Sequence, residues 1–597
     1  MAGKTLDINE IIQPDHLGRQ IADYQTEWQV YRDTKIAEWK EIQQYVFATD
    51  TTKTTNSQLN WSNKTTIPKL CQIRDNLYSN YMATLFPKQR WFIWEGMTDD
   101  DEQVEKKNTI EAYMQWVTDR PRFRKEVSKL VLDYIDYGNA FMMPEWVDER
   151  NTIEDENRTQ SGYVGPLLRR ISPLDIVFNP IAPDFESSPK IVTSLISLGE
   201  VKEILDRESS SEEDREMAEE LFKYLKDIRG QVEMHDGSVT SKDDIYDVSG
   251  FTDFRSYLQS NYAEVLTFYG DIYDTETGEF LRNYMVQIVD RHKVLVKKPN
   301  PSVLGRNTIN HVGWRIRPDN LWAMGPLDNL VGMQYRIDHL ENMKADVFDL
   351  IAYPPLKIKG VVPDFEWGPM ERIHTDNDGD VELMSPDTQA LNADNQIALL
   401  ESKMEEMAGS PREAMGIRSP GEKTKFEVQQ LQNASSRIFQ NKTAQFEQNG
   451  IEPGMNSMLE LARRNMTSET IRIFDDELKV ATFQNLSALD LSGNGRLRPV
   501  AARHFAEQAQ MLQNLNGFFN SAIGQDQSIA QHFSSIKIAK LLESLLELEP
   551  WGVVQPYVKL SEQADAQRQM NIHEEEVAVE AGTPIGIQPE DFDSELE

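Results

Sequence analysis

The densest group of possible metal ligands in the sequence is an acidic turn formed by Asp376, Asp378 and Asp380. Three carboxylates on one turn supply the oxygen donors that Ca²⁺ and Mg²⁺ prefer. The spacing is not that of an EF-hand loop, because glycine stands at the fourth position rather than the sixth, and aspartate rather than glutamate stands at the twelfth. Aspartate, asparagine and glycine are also ordinary turn residues. We therefore predict a polar hairpin turn without a functional metal, and an acidic metal-dependent hydrolase stays open as a less favoured alternative.

Other catalytic patterns are absent from the sequence. None of the nine histidines has a histidine partner four residues away, and Cys71 is the single cysteine, so the usual zinc ligand sets are missing. No phosphate-binding loop, dinucleotide-binding glycine pattern or nucleophile elbow occurs. Carboxylate pairs are so frequent that none marks a catalytic dyad. We predict a protein that is not an enzyme and holds no cofactor.

Arg412, Arg418 and Lys423 form the best candidate for contact with a polyanion. They lie in a segment with two helix-start patterns, Ser410-Pro411-Arg412-Glu413 and Ser419-Pro420-Gly421-Glu422. Each pattern has the form of a capping box with proline at the first helical position. Two helix starts this close together predict a tight, exposed loop. From the residues alone, solvated loop charges offset by the neighbouring glutamates are the favoured interpretation, and contact with a polyanion is the alternative.

Charge and composition limit the function further. The chain has 597 residues and a net charge of −36, with 98 acidic and 62 basic residues. Such a surface argues against a protein that grips nucleic acid over a wide area, since phosphate binding needs clustered bases. A single cysteine excludes an intrachain disulfide and fits synthesis in a reducing compartment. No signal-peptide core and no apolar run of membrane-spanning length occurs, so we expect no membrane partner.

The elements around the tight loop follow from hydrophobic periodicity. A helix opens near Gly325-Pro326 and ends at Tyr353-Pro354-Pro355. Its apolar residues recur at steps of three and four and form a narrow seam of the kind that packs against other helices: Leu330, Met333, Ile337, Leu340, Val347 and Ile351. Strand-like pieces at 356–362 and 381–384 follow, then a return helix and, after the tight loop, a long helix over about 424–452. The seam predicts packing between stem helices, including those of neighbouring copies.

The rest of the chain alternates helical and strand patterns, which predicts an α+β, helix-rich fold. Helices are predicted at 16–47, 67–86, 101–117 and 122–137, and strands at 91–94, 140–147, 167–178, 263–273 and 284–297. A β-hairpin is predicted at 470–483 and two or three helices at 496–549. Residues 561–597 carry 11 acids and a single arginine, Arg568, and we expect the last fifteen to be disordered.

Several of these stretches together resemble phage portal proteins, the head-to-tail connectors, and most closely those of short-tailed phages. Residues 409–416 (GSPREAMG) and 420–424 (PGEKT) resemble the family's tunnel loop, and residues 326–346 (PLDNLVGMQYRIDHLENMKAD) resemble its descending stem helix. Residues 61–68 (WSNKTTIP) and 73–77 (IRDNL) resemble its N-terminal wing. The resemblance covers nearly the whole chain in order.

The resemblance implies a division of the chain into the family's domains. They are a wing at 1–320, a descending stem helix at 321–353, a clip at 354–394, an ascending stem helix at 395–409, a tunnel loop at 410–423, a long wing helix with a β-hairpin at 424–495, crown helices at 496–560 and an acidic tail at 561–597. Arg412, Arg418 and Lys423 would then face a DNA channel.

The resemblance also implies a function without catalysis. Twelve copies would form a ring at one capsid vertex, assembled in the host cytoplasm and carried in the virion. Double-stranded DNA would pass through it during packaging and ejection. The expected partners are the terminase motor, the major capsid protein, the scaffold and a tail adaptor. The main alternative is another structural virion protein, such as a head-tail adaptor or an internal ejection protein.

Overall fold

The fold is known from a computed structural model, which describes most of the chain before residue 500. The described residues are 15–48, 62–86, 91–96, 101–148, 151–153, 158–160, 163–179, 181–208, 262–291, 293–300, 309–360, 379–384, 387–409, 438–466, 469–475 and 480–499, together with isolated positions between and after them. They form a mixture of helix and sheet, so the α+β prediction is confirmed at this level.

The first half of the chain begins with helices that periodicity located well. They are α1 (His16–Phe47), α2 (Lys69–Leu85), α3 (Asp101–Thr118) and α4 (Pro121–Asp136). A further helix, α5 (Leu198–Glu208), follows later in this half. The long helix α1 buries apolar residues at helical spacing, among them Ile21, Trp28 and Trp39, and ends at Ala48 in the left-handed conformation. Helix α4 starts with proline, which suits the first turn of a helix.

The strands of the first half form two main antiparallel sheets. The larger has the order β10-β9-β8-β7-β6, with β6 (Ile176–Phe178), β7 (Lys190–Ser197), β8 (Tyr262–Tyr273), β9 (Phe280–Val289) and β10 (Lys293–Pro299). The second has the order β11-β2-β5, with β2 (Asn139–Asp148), β5 (Val164–Ile171) and β11 (Asn310–Gly313). The remaining pairs are β3 (Asn151–Ile153) with β4 (Arg158–Gln160), and β12 (Arg315–Arg317) with β13 (Asn320–Met324).

An aromatic cluster joins these sheets to α1. Phe141, Phe178, Phe185 and Trp322 lie with ring centroids 4.7–6.1 Å apart, and His311 stacks on Phe141 at 4.7 Å. Burial lowers the pKa of His311 to about 3, so its imidazole is neutral at physiological pH. The ring therefore serves as a flat packing group, with its Nε2 2.9 Å from the side-chain oxygen of Asn139.

A helix, a β-hairpin and a second helix follow the first half. Helix α6 (Val331–Ala352) leads to β14 (Leu356–Lys359), which pairs antiparallel with β15 (Asp380–Leu383). A 3₁₀ turn (Thr388–Ala393) then opens α7 (Asp394–Ala408). The predicted order of these elements is therefore confirmed. The predicted helix start near Gly325 is wrong, because Pro326 lies in a turn in which the carboxylate of Asp328 accepts the Gly325 N–H at 3.0 Å.

The long helix after residue 437 changes its hydrogen bonding in the middle. Helical residues 438–446 lead into a π-helix (Glu447–Ile451) and then α8 (Glu452–Asn465). Pro453 has no backbone N–H to donate to the preceding turn, and the wider π-turn accommodates that loss. The predicted end near Glu452 is thus wrong, since the helix continues for a further 13 residues to Asn465.

The described end of the chain consists of strands. β16 (Glu469–Asp475) pairs with β17 (Val480–Leu486), as the predicted hairpin required. β18 (Gly495–Pro499) pairs antiparallel with β1 (Phe92–Gly96). The prediction of helix from residue 496 is wrong at its start, because Leu497 is buried on Trp94 as part of this two-stranded sheet.

The chain divides into two units, Met1–Ile473 with Phe483–Arg503, and Phe474–Thr482 with His504–Glu597. The first contains the helices and sheets named up to α8. In the second, the predicted crown helices and the acidic tail lie outside the described residues except for single positions.

Candidate functional site

Helix α6 has three distinct faces, and the first is polar. Gln334, Asp338, Asn342 and Asp346 recur every four residues, so they line one side of the helix. An extended segment, residues 63–67, runs along this side; we call it the strap. The first three of these side chains are buried beneath it, with relative exposures of 0%, 0% and 3%.

The side chains of α6 bind the backbone of alternate strap residues. Asn342 accepts the Thr65 N–H and donates to the Thr65 carbonyl oxygen, both at 2.8 Å. Asp338 accepts the Ile67 N–H at 3.0 Å, and Asp346 accepts the Asn63 N–H at 2.6 Å. Two extended residues advance about 6.6 Å, and four helical residues advance about 6 Å. The two repeats therefore match closely enough for alternate strap residues to meet successive turns of α6.

Asp338 holds a buried charge at the centre of this arrangement. Burial raises the pKa of its carboxyl to about 6, opposed by hydrogen bonds from the Ile67 N–H and the Gln334 side chain. Both donors reach Oδ1, while Oδ2 is buried without a hydrogen-bond partner. A buried carboxylate oxygen without a hydrogen-bond partner destabilises the folded state. Asp338 therefore binds the strap but also lowers the free energy of unfolding.

The second face of α6 joins the core of the same chain. Leu330, Ile337 and Leu340 are buried in a cluster that also includes Ile397 and Met404 of α7. The sequence predicted that this seam packs on stem helices, including those of neighbouring copies; at these three residues α7 and α2 of the same chain already cover it. Met333 is packed partly against the same cluster.

One direct ion pair, and a second contact made through α2, hold α7 alongside α6. Lys344 in the middle of α6 pairs with Asp394 at the start of α7. The buried Lys69 lies 2.8 Å from Glu405 near the end of α7, and the adjacent Leu70 N–H donates to Gln334 near the start of α6. The two helices thus run side by side in opposite directions.

The third face of α6 is a row that the described chain leaves uncovered. Its residues again recur every four positions: Tyr335, His339 and Met343, followed near the end of α6 by Val347 and Ile351, where this row meets the predicted seam. Tyr335, Met343 and Ile351 are exposed, and His339 and Val347 are half-buried. Leu399 and Met407 form a similar exposed pair on α7. We call the α6 set the outer row.

Exposed apolar side chains also gather at the far end of the two helices. Phe348 is 56% exposed and Tyr353 is 77% exposed. On the β14–β15 hairpin, Ile358, Leu383 and Met384 are each more than half exposed. Among soluble monomers, large contiguous apolar patches mark contact surfaces. We call this end, residues 348–360 and 380–384, the tip.

The described residues contain no membrane-spanning helix and no His, Cys, Asp or Glu group able to hold a metal ion. Asp380 is exposed on β15 opposite Lys359, whereas Asp376 and Asp378 lie outside the described residues. Arg412, Arg418 and Lys423, the expected channel bases, also lie outside them. The structure therefore tests neither the acidic turn as a group nor the tunnel loop.

Sequence reasoning missed the strap and the polar face that binds it. The available signal was the four-residue recurrence of Gln334, Asp338, Asn342 and Asp346 between two apolar rows. A helix that packs only through an apolar stripe does not require a polar row beside it. Such a row is expected where backbone N–H and C=O groups pack against the helix and must be hydrogen-bonded.

No protein-family model matches this chain, and no curated protein matches it.

Proposed function

We propose that this chain is the subunit of a phage portal, a closed ring at one capsid vertex through which double-stranded DNA passes. The observation that carries the proposal is the antiparallel helix pair α6–α7 with its β14–β15 hairpin, which leaves an apolar outer row and an apolar tip uncovered. The same order of elements, helix, small β insert and returning helix, is what the sequence resemblance implies for stem and clip.

The exposed apolar surface supports assembly because leaving it in contact with water is unfavourable in free energy. A lone two-stranded hairpin is marginally stable in water, and β14–β15 pairs with no further strand among the described residues. Burying exposed apolar area stabilises by about 25 cal/mol per Å². Contacts between copies along the outer row and tip would supply that burial.

The surface also favours a ring over a twofold dimer. The strap occupies one face of α6 and α7 another, so the outer row and the exposed α7 pair Leu399 and Met407 are different surfaces. A contact between two different surfaces is heterologous, and repeating it closes a ring when the rotation allows. Twelve copies is the number that the resemblance implies.

The role of the ring is mechanical and electrostatic. With a charge of −36 per chain, its bulk repels a DNA duplex and keeps a passing duplex from adhering. Arg412, Arg418 and Lys423 of each copy supply brief contacts to phosphates. ATP hydrolysis belongs to a separate terminase, and the capsid, scaffold and tail adaptor bind the ring from outside.

The proposal is tested by the mass of the purified protein in solution. Light scattering coupled to size exclusion should give a single species of about twelve chains. A monomer at all accessible concentrations, with the outer row still exposed, would contradict assembly through this surface.

A further inference from the structure

A group of exposed bases surrounds the start of α4, far in sequence from the stem and the tunnel loop. Arg120, Arg122, Arg124 and Lys125 are all exposed, and they stand within six residues of a chain whose net charge is −36. We call these four residues the basic spot.

The basic spot breaks a local rule of helix stability. The N-terminus of a helix carries partial positive charge, which favours acids and disfavours bases in the first turn. The first turn of α4 has no acid, and three of the four bases lie within its first five residues. Departures from local consistency in natural proteins tend to occur at functional sites.

Two of the guanidinium groups are held in place by aromatic rings from other elements. The Arg120 guanidinium carbon lies 4.5 Å from the ring centroid of Trp116 and 5.6 Å from that of Tyr163. The Arg124 guanidinium carbon lies 5.6 Å from the ring centroid of Phe86. A guanidinium stacked on a ring keeps its in-plane N–H groups available for hydrogen bonds. Both groups are therefore pre-oriented as bidentate donors.

We propose that the basic spot docks a short acidic segment of another protein, with two or three of its carboxylates bound by Arg120, Arg124 and Lys125. Arginine binds carboxylates through two parallel hydrogen bonds, which gives direction as well as charge. The inference does not depend on the portal assignment, because it uses none of the stem or tip residues.

Charge distribution favours an acidic polypeptide over a DNA duplex. A duplex carries one charge per about 1.7 Å of its axis, so any bound length extends well past a spot of four bases. Beyond the spot it meets a chain whose net charge is −36, and repulsion between like charges acts over a screening length of about 10 Å. A short extended peptide places alternate carboxylates about 7 Å apart and ends before that repulsion accumulates.

Fluorescence anisotropy of the full-length protein tests the proposal. The probe is a labelled peptide of about twelve residues, half of them glutamate, at about 50 mM salt. The test variant is Arg120→Glu with Arg124→Glu. The matched control is Arg282→Glu with Lys297→Glu, which makes the same charge change at two exposed bases elsewhere, one of them also over a ring. Thermal unfolding by circular dichroism checks that each variant is folded.

We expect the peptide to bind the wild type, and the test variant to bind about tenfold more weakly or worse while the control changes little. Arg120→Lys with Arg124→Lys keeps the charge but loses the bidentate geometry, and should give intermediate affinity. Absence of peptide binding, or equal loss in test and control variants, overturns the proposal. Tighter binding of a duplex of about twelve base pairs, lost in the test variant, also overturns it in favour of a phosphate contact.

Discussion

The carboxylate of Asp338 accepts the backbone N–H of Ile67 at 3.0 Å across a separation of 271 residues. Together with the contacts of Asn342 and Asp346, it holds the strap on the polar face of α6.

Asp338→Asn should alter how stability depends on pH. Burial raises the folded-state pKa of Asp338 to about 6 from an ordinary value of 3.8. The folded state therefore holds a proton more tightly than the unfolded chain, and the wild type loses stability as pH rises from about 4 to 6. Asparagine keeps the acceptor for Ile67 and removes the charge. We expect the free energy of unfolding of the variant to rise relative to that of the wild type by about 3 kcal/mol between pH 4 and pH 7.

Urea unfolding at several pH values measures this difference. Asp346→Asn is the control, because it makes the same change on the same polar face at a more exposed carboxylate. If the difference in unfolding free energy between the wild type and Asp338→Asn stays constant from pH 4 to 7, the charge of Asp338 does not destabilise the folded state.

Lys190→Met should stabilise the protein near neutral pH. Lys190 is fully buried, and burial lowers the pKa of its amine to about 7 from 10.5. The unfolded chain binds the proton more tightly, so the wild type loses stability as pH falls from about 10 to 7. Methionine fills similar space beside Phe185 without a charge. We expect a gain of about 2 kcal/mol at pH 7 that shrinks by pH 10.

Chemical unfolding at pH 7 and pH 10 tests this expectation. Lys293→Met is the control, since Lys293 is partly exposed and pairs with Asp15 at 3.2 Å. A destabilised Lys190→Met protein at both pH values would mean that the hydrogen bond from the amine to the Glu186 carbonyl outweighs the burial of the charge.

Gly450→Ala should destabilise the protein while Gly332→Ala does not. A Cβ at Gly450, within the π-helix, would lie 2.7 Å from side-chain atoms of both Met142 and Val312. We expect a loss of about 1–3 kcal/mol from overpacking. A Cβ at Gly332 meets nothing within 4 Å, and alanine in a helix gains about 0.5–1 kcal/mol over glycine. Thermal unfolding of both variants distinguishes a tight contact between helix and sheet from a general effect of replacing glycine.

Phe348→Asp with Ile351→Asp should leave the chain folded but prevent its assembly. Both side chains are exposed near the tip, so their replacement removes apolar area from the surface between copies rather than from the core. Leu340→Asp is the contrasting variant, because Leu340 is buried and its loss should unfold the subunit. Sedimentation velocity separates the two outcomes, and an assembled double variant would show that the tip is not the contact surface.

The sequence predicted elements better than contacts. Periodicity located α6, the β14–β15 hairpin and α7 in order, because each is a local pattern. It missed the strap, because the hydrogen bonds from the strap to Asp338, Asn342 and Asp346 join residues that are 271, 277 and 283 positions apart in the sequence. It also assigned Leu340 to a seam whose packing includes neighbouring copies, since a narrow apolar seam does not reveal whether the residues that cover it belong to the same chain. Strands β3, β4, β11, β12 and β13 were not predicted because each has only three to five residues, and the longer β7 was not predicted either.

A portal subunit must assemble through the outer row and tip into a closed ring with a central channel. The decisive measurement is electron microscopy of the purified protein viewed down its axis. We expect rings of about twelve subunits around a hole wide enough for a DNA duplex, and their loss in Phe348→Asp with Ile351→Asp. Compact particles without a hole, or rings unchanged in that variant, would contradict it.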